Sequence, residues 1–91
     1  MQTESFNMRV EVSMDVQTAR NCSHSGPCDA DVAEALESGD IRIDGKPDAI
    51  RAELKEYGAW DETELADDEQ NEQRIAWIAA GNIADQHNGR A

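Results

Sequence analysis

Phe6-Asn7-Met8-Arg9-Val10-Glu11-Val12-Ser13-Met14-Asp15-Val16 alternates apolar and polar residues without a break. Successive strand side chains point to opposite faces. Phe6, Met8, Val10, Val12, Met14 and Val16 would therefore share an apolar face, with Asn7, Arg9, Glu11, Ser13 and Asp15 on the wet one. The stretch is predicted as one strand. A lone strand leaves its backbone N–H and C=O groups unpaired. The rest of the sequence offers one short partner, Asp40–Asp44, where Ile41 and Ile43 flank Arg42 ahead of Asp44-Gly45. This scarcity leaves two other neighbours open: the same strand of a second copy, or a sheet edge on another protein.

Outward from that stretch the spacing turns helical. Arg20–Cys28 is rich in turn formers and reads as a loop. Asp29–Ser38 reads as a helix with Val32, Ala33 and Leu36 on one face and Gly39 as its stop. A second helix starts near Pro47, with Ile50, Leu54 and Tyr57 as its apolar stripe and Gly58 as its end. Asp61 then suits an N-cap, with Glu64 completing a capping box and Trp60 and Leu65 placed as a hydrophobic staple. A long helix is expected from there to about Ala80, or past Gly81 to Asp85, with the tail His87–Ala91 fraying. The expected core is Val10, Val12, Met14, Val32, Leu36, Ile50, Leu54, Leu65, Ile75, Ile78 and Ile83.

The chain has 91 residues, 20 Asp and Glu against 8 Lys and Arg, a net charge of −12 and only 4 % aromatic residues. That size supports one small domain over residues 1–91, of α+β class, with about three helices dominating a short antiparallel sheet. It leaves no room for a separate cofactor domain, and no cofactor is expected. Like-charge repulsion argues against direct binding to nucleic acid or an anionic membrane. No run approaches the ~20 apolar residues of a membrane span. Met1–Phe6 carries Glu4 and no basic, apolar leader, so a cytosolic chain with free thiols is expected.

Asp61, Glu62, Glu64, Asp67, Asp68, Glu69 and Glu72 put seven carboxylates into twelve residues with no Lys or Arg among them. At a rise of about 1.5 Å per residue, that is roughly one charge per 2.4 Å of helix. Duplex DNA carries about one per 1.7 Å of axis. Such a helix would present a phosphate-like field to a basic groove. Neighbouring carboxylates cost a helix a few tenths of a kcal/mol per i,i+4 pair, and Glu64–Asp68 and Asp68–Glu72 are such pairs. The ordinary role of a charge run is a solvated face, and acids in a first turn favour the helix dipole. With a helix starting at Asp61, that accounts for Asp61, Glu62 and Glu64, whereas Asp67–Glu72 lie beyond the dipole's reach.

Cys22, His24, Cys28 and Asp29, with His87 as a fourth ligand, carry zinc-binding residue types. They lack the paired C-x2-C knuckle that shapes a site, and a free Cys is ordinarily a small buried hydrophobe. No metal site is assigned. A Cys-His hydrolase would need a cleft and an oxyanion hole for which the chain has little room, so no catalytic residue is assigned. Tyr57, Trp60 and Trp77 are core residues in the ordinary reading. Arg74 lies one turn before Trp77, within reach of a cation–π contact. Trp60, at a helix corner, equally suits an interface anchor.

Glu56-Tyr57-Gly58-Ala59-Trp60, Glu64-Leu65-Ala66-Asp67, Asn71, Arg74 and Trp77-Ile78-Ala79-Ala80-Gly81 resemble a family of small phage- and prophage-encoded proteins. Ser23-His24-Ser25-Gly26 and Cys28-Asp29-Ala30-Asp31-Val32 are similar to its upstream block, so the resemblance covers residues 23–83. Cys22 stands where that pattern carries a small residue, which weakens a zinc role. Among such proteins the chain looks most like a type I anti-CRISPR. The resemblance implies a non-enzymatic inhibitor acting in the host bacterial cytoplasm. It would bind a guide-RNA surveillance complex (Cascade or Csy) and block target DNA. The candidate partner-binding residues are Asp61, Glu64, Asp67, Asp68, Glu69 and Glu72, with Tyr57 and Trp60 as anchors. The alternatives are a phage or mobile-element module dimerising through its N-terminal strand, and a zinc-dependent regulator.

Overall fold

In the computed structural model, which describes residues 3–7, 9–24 and 26–88, the alternating stretch folds back on itself. It forms β1 (Thr3–Asn7) and β2 (Glu11–Asp15), an antiparallel hairpin in which Phe6 pairs with Val12 and Asn7 with Glu11. The expectation of one continuous strand is corrected here. Three residues, 8–10, separate the last pair. An odd-length turn conserves parity, so even-numbered residues of both strands face the same side and the alternation runs through the bend. Met8 lies outside the described residues; Val10 is buried. A short β3 (Arg42–Asp44) pairs with β2 through Val12 and Ile43, giving a sheet ordered β1-β2-β3. A Cβ at Gly45 would stand within 2.6 Å of Val10 Cβ, so the chain leaving β3 passes the hairpin turn only as glycine.

Asp15 ends the strand because its carboxylate does something else. Its Oδ1 accepts from the Thr18 backbone N–H at 2.8 Å and caps helix α1 (Val16–Ser23). Residues 20–23, expected as loop, are thus the last turn of a helix whose Ala19 and Cys22 point into the core. Helix α2 (Ala30–Ser38) is capped by Asp29 and closed by Gly39 at φ 89°. Helix α3 (Pro47–Tyr57) opens on its proline and closes on Gly58 at φ 72°. Both glycines occupy the left-handed region that favours them at helix ends.

The largest departure lies after Asp61. The capping box forms: Asp61 N–H donates to Glu64 Oε1 at 3.2 Å, and Glu64 N–H to Asp61 Oδ1 at 3.0 Å. It launches only a 3₁₀ turn, Glu64–Ala66, before Asp67 swings to an extended backbone at φ −100°, ψ 111°. Asp67 then caps the real helix, α4 (Asp68–Asn88), its Oδ1 accepting from the N–H groups of Glu69 at 3.0 Å and Gln70 at 3.3 Å. Two buried side chains hold the break. Asn71 Nδ2 donates to the Leu65 carbonyl at 2.9 Å and an Arg74 N–H to the Glu64 carbonyl at 2.7 Å. In an uninterrupted helix those carbonyls would accept from backbone N–H groups of α4's first turn.

Helix α4 is the centre of the molecule. It packs most extensively on α1 and also meets α3, α2, β1 and β2. Ala76, Ala79, Ala80 and Ala84 are buried along it beside Ile75, Ile78 and Ile83, so it is apolar on more than one side. It continues to Asn88, beyond the expected end, and residues 89–91 lie outside the described part. Of the expected core only Leu36 is partly exposed, while Ala19, Cys22 and Ile41 join the buried set. Tyr57, placed by sequence in the α3 stripe, is instead 46 % exposed at the helix end. The class is α+β and helix-dominated, with α1 added to the three expected helices. No described helix is long and apolar enough to cross a membrane.

Candidate functional site

The acidic residues divide by what the fold does with them. Asp61 and Glu64 satisfy each other's backbone N–H groups. Glu62 pairs with Lys55, whose hydrogen bond and charge hold its carboxyl below the ordinary range, and its carbonyl accepts from Arg51 at 3.3 Å. Asp67 is the cap of α4, and Asp68 and Glu69 lie in its first turn. The expectation that Asp67–Glu72 lie beyond the dipole's reach is therefore corrected. With the helix starting at Asp68 rather than Asp61, Asp67, Asp68 and Glu69 gain the local stabilisation that sequence had reserved for the earlier acids.

Glu72 has no such return. Together with Glu69 and Gln73 it forms one wall of a cleft of about 440 Å³ between α4 and α2, whose other wall is Ala33, Leu36 and Glu37. Glu37, Glu69 and Glu72 are exposed, and none forms an ion pair among the described residues. Asp67 and Asp68 likewise have no cation beside them. The cleft thus offers a small apolar floor, Ala33 and Leu36, between unneutralised carboxylates. That suits the aliphatic stem and charged head of a lysine or arginine. Glu37 carried no signal in the sequence, because only the docking of α2 on α4 sets it opposite Glu69 and Glu72.

The two aromatic anchors stand elsewhere. Tyr57 and Trp60 line a groove of about 270 Å³ with Trp77, Ile78, Gly81 and Asp85, and this groove shares no residue with the acidic cleft. Arg74 stacks 5.2 Å from the centroid of Trp60 rather than on Trp77 as the i,i+3 spacing suggested. The reason is its buried position: besides the Glu64 carbonyl, Arg74 donates to Asn71 Oδ1 at 3.2 Å, which aims the guanidinium at the 3₁₀ turn beside Trp60. Arg74 Nε and Trp77 Nε1 are buried without a hydrogen-bond partner among the described residues.

The thiols and imidazoles do not gather at one site: Cys22 and His24 line a cleft with Asp31, Glu34 and Asp40 that neither Cys28 nor His87 lines. Cys22 is buried in the core; burial first, then the charges of Asp31, Asp29 and Asp40, push its thiol up from the ordinary value. Cys28 is exposed and accepts a hydrogen bond from Gln70 Nε2 at 2.9 Å. His24 closes α1, and His87 Nε2 lies 3.4 Å from Glu4 Oε1, tying the end of α4 to β1. Among the described residues no group of three or more His, Cys, Asp or Glu is placed to hold a metal ion.

The chain matches no protein-family model, no curated protein and no solved structure.

Proposed function

We propose that this protein is a non-enzymatic, phage-type inhibitor of the anti-CRISPR kind. It would bind the basic DNA-binding surface of a type I guide-RNA surveillance complex in the host cytoplasm and compete with target DNA. The observation that carries this reading is the α2–α4 cleft, where Glu37, Glu69 and Glu72 form no ion pair among the described residues, in a molecule of net charge −12. Unpaired carboxylates repel one another, and a basic surface relieves that repulsion. Relative to the sequence reading, the charged contact moves from a single helix to two. Asp61 and Glu64 become capping groups that contribute to the field without leading it. Within the chain, β3 supplies the short internal partner of the N-terminal stretch by pairing with β2.

The test is charge reversal where no cap is disturbed. Glu37→Lys, Glu69→Lys and Glu72→Lys together change the net charge from −12 to −6. Binding to a purified surveillance complex, followed by biolayer interferometry from low to high salt, should be lost in the triple variant. In the parent it should weaken steeply with ionic strength. Equal binding by parent and triple variant would discard the acidic-cleft reading.

A further inference from the structure

Three of the chain's four aromatic residues, Tyr57, Trp60 and Trp77, come from two separate segments and meet at one groove. Asp85 is the single charged residue in its lining; no Lys or Arg takes part, and Asp85 has no ion pair among the described residues. A second observation concerns the floor. Gly81 lies in the interior of α4, where glycine costs roughly 0.5–1 kcal/mol relative to alanine. The fold gives nothing back for that cost: a Cβ at Gly81 would meet no atom within 4 Å, and its backbone is ordinary helix. Neither close packing nor a turn requires a glycine here. What its missing side chain does is leave the floor of the groove open.

From these features we infer that the groove of Tyr57, Trp60, Trp77 and Asp85 is a receptor for one arginine side chain of a basic protein segment. The faces of aromatic rings attract cations, and a planar, weakly hydrated guanidinium stacks on them better than an ammonium does. Trp60 already serves one guanidinium in this way, that of Arg74. Asp85 supplies the counter-charge at the rim, and the molecule's net charge of −12 draws a basic segment towards it.

The groove is distinct from the acidic cleft. At 3.6 residues per turn, Gly81 and Asp85 stand about 120° and 160° around α4 from Glu69. The inference therefore stands without the inhibitor reading, and the two can fail separately.

The test uses the intact protein and two peptides, acetyl-Gly-Gly-Arg-Gly-Gly-amide and its citrulline counterpart, which has the same shape without the charge. Indole N–H signals of Trp60 and Trp77 are followed by NMR during titration. The arginine peptide should shift both indoles in a saturable way and bind at least fivefold more tightly than the citrulline peptide. Gly81→Leu fills the floor and should abolish the shifts without lowering Tm. Asp85→Asn, an exposed change that leaves the core untouched, should weaken binding at least threefold. The Glu37→Lys, Glu69→Lys, Glu72→Lys variant should still shift both indoles in a saturable way with the arginine peptide, weakened at low salt by its smaller net charge and matching the parent at high salt. Equal response to both peptides, undiminished binding by Gly81→Leu, or indole shifts that vanish with the cleft charges would each overturn the assignment.

Discussion

Replacing Asn71 by alanine tests the device that sets the start of α4. Asn71 is 1 % exposed, gives one hydrogen bond to the Leu65 carbonyl at 2.9 Å and takes one from Arg74 at 3.2 Å. Losing the neutral bond costs about 1 kcal/mol and losing the bond to a charged donor about 1.5–3 kcal/mol. The substitution should therefore destabilise by roughly 3 kcal/mol, a large share of the ~5–14 kcal/mol usual for a domain of this length. At about 4–8 °C per kcal/mol, Tm should fall by roughly 12–24 °C. Urea unfolding followed by tryptophan fluorescence gives the free energy, and amide exchange at Glu69–Glu72 reports the helix start directly. Because Asn71 and Arg74 touch, Asn71→Ala in an Arg74→Met background should cost about 1.5–3 kcal/mol less than it does alone. A Tm change below about 4 °C, or a strictly additive double-mutant cycle, would refute the view that these two side chains hold the break.

Two further outcomes follow from the same geometry. Asp67→Ala removes the cap of α4 and should cost about 1 kcal/mol, whereas Asp61→Ala, which serves only a 3₁₀ turn, should cost less than half of that; thermal melts showing the reverse order would place the helix start at Asp61. With a thiol-specific reagent near pH 8, Cys28 should react at once, while Cys22 waits for unfolding or for a pH above the usual thiol range, since burial and Asp31 raise its pKa and deplete its thiolate. Equal rates for the two thiols, or an unchanged fast phase in Cys28→Ser, would contradict that burial.

Much of this fold was legible where a residue has one competent partner. Gly39 and Gly58 end helices because a single glycine follows each apolar stripe, and Pro47 opens one because its missing N–H is not needed there. Legibility failed where one residue could do two jobs. Asp15 completes an alternating strand and equally caps a helix, so α1 was hidden behind a strand reading. Asp61 and Asp67 both suit a cap, and the choice between them depends on Asn71 and Arg74 reaching back to carbonyls that sequence does not locate. The hairpin bend was invisible for another reason: its turn conserves parity, so hydrophobic periodicity holds no trace of it. The cleft was half legible, since Glu69 and Glu72 stood out by crowding while Glu37 acquires meaning only through tertiary contact.

Arg74 is buried in a strongly acidic protein, yet it is held by a backbone carbonyl, an amide oxygen and an indole ring rather than by a carboxylate. None of those partners takes up or releases a proton when a solution is acidified, and the guanidinium keeps its charge throughout. The bonds that Arg74 and Asn71 make in front of α4 are therefore indifferent to protonation. Acid can discharge the surface of this molecule, and with it any grip on a basic partner, while the buried bonds of Arg74 and Asn71 keep both their donors and their acceptors.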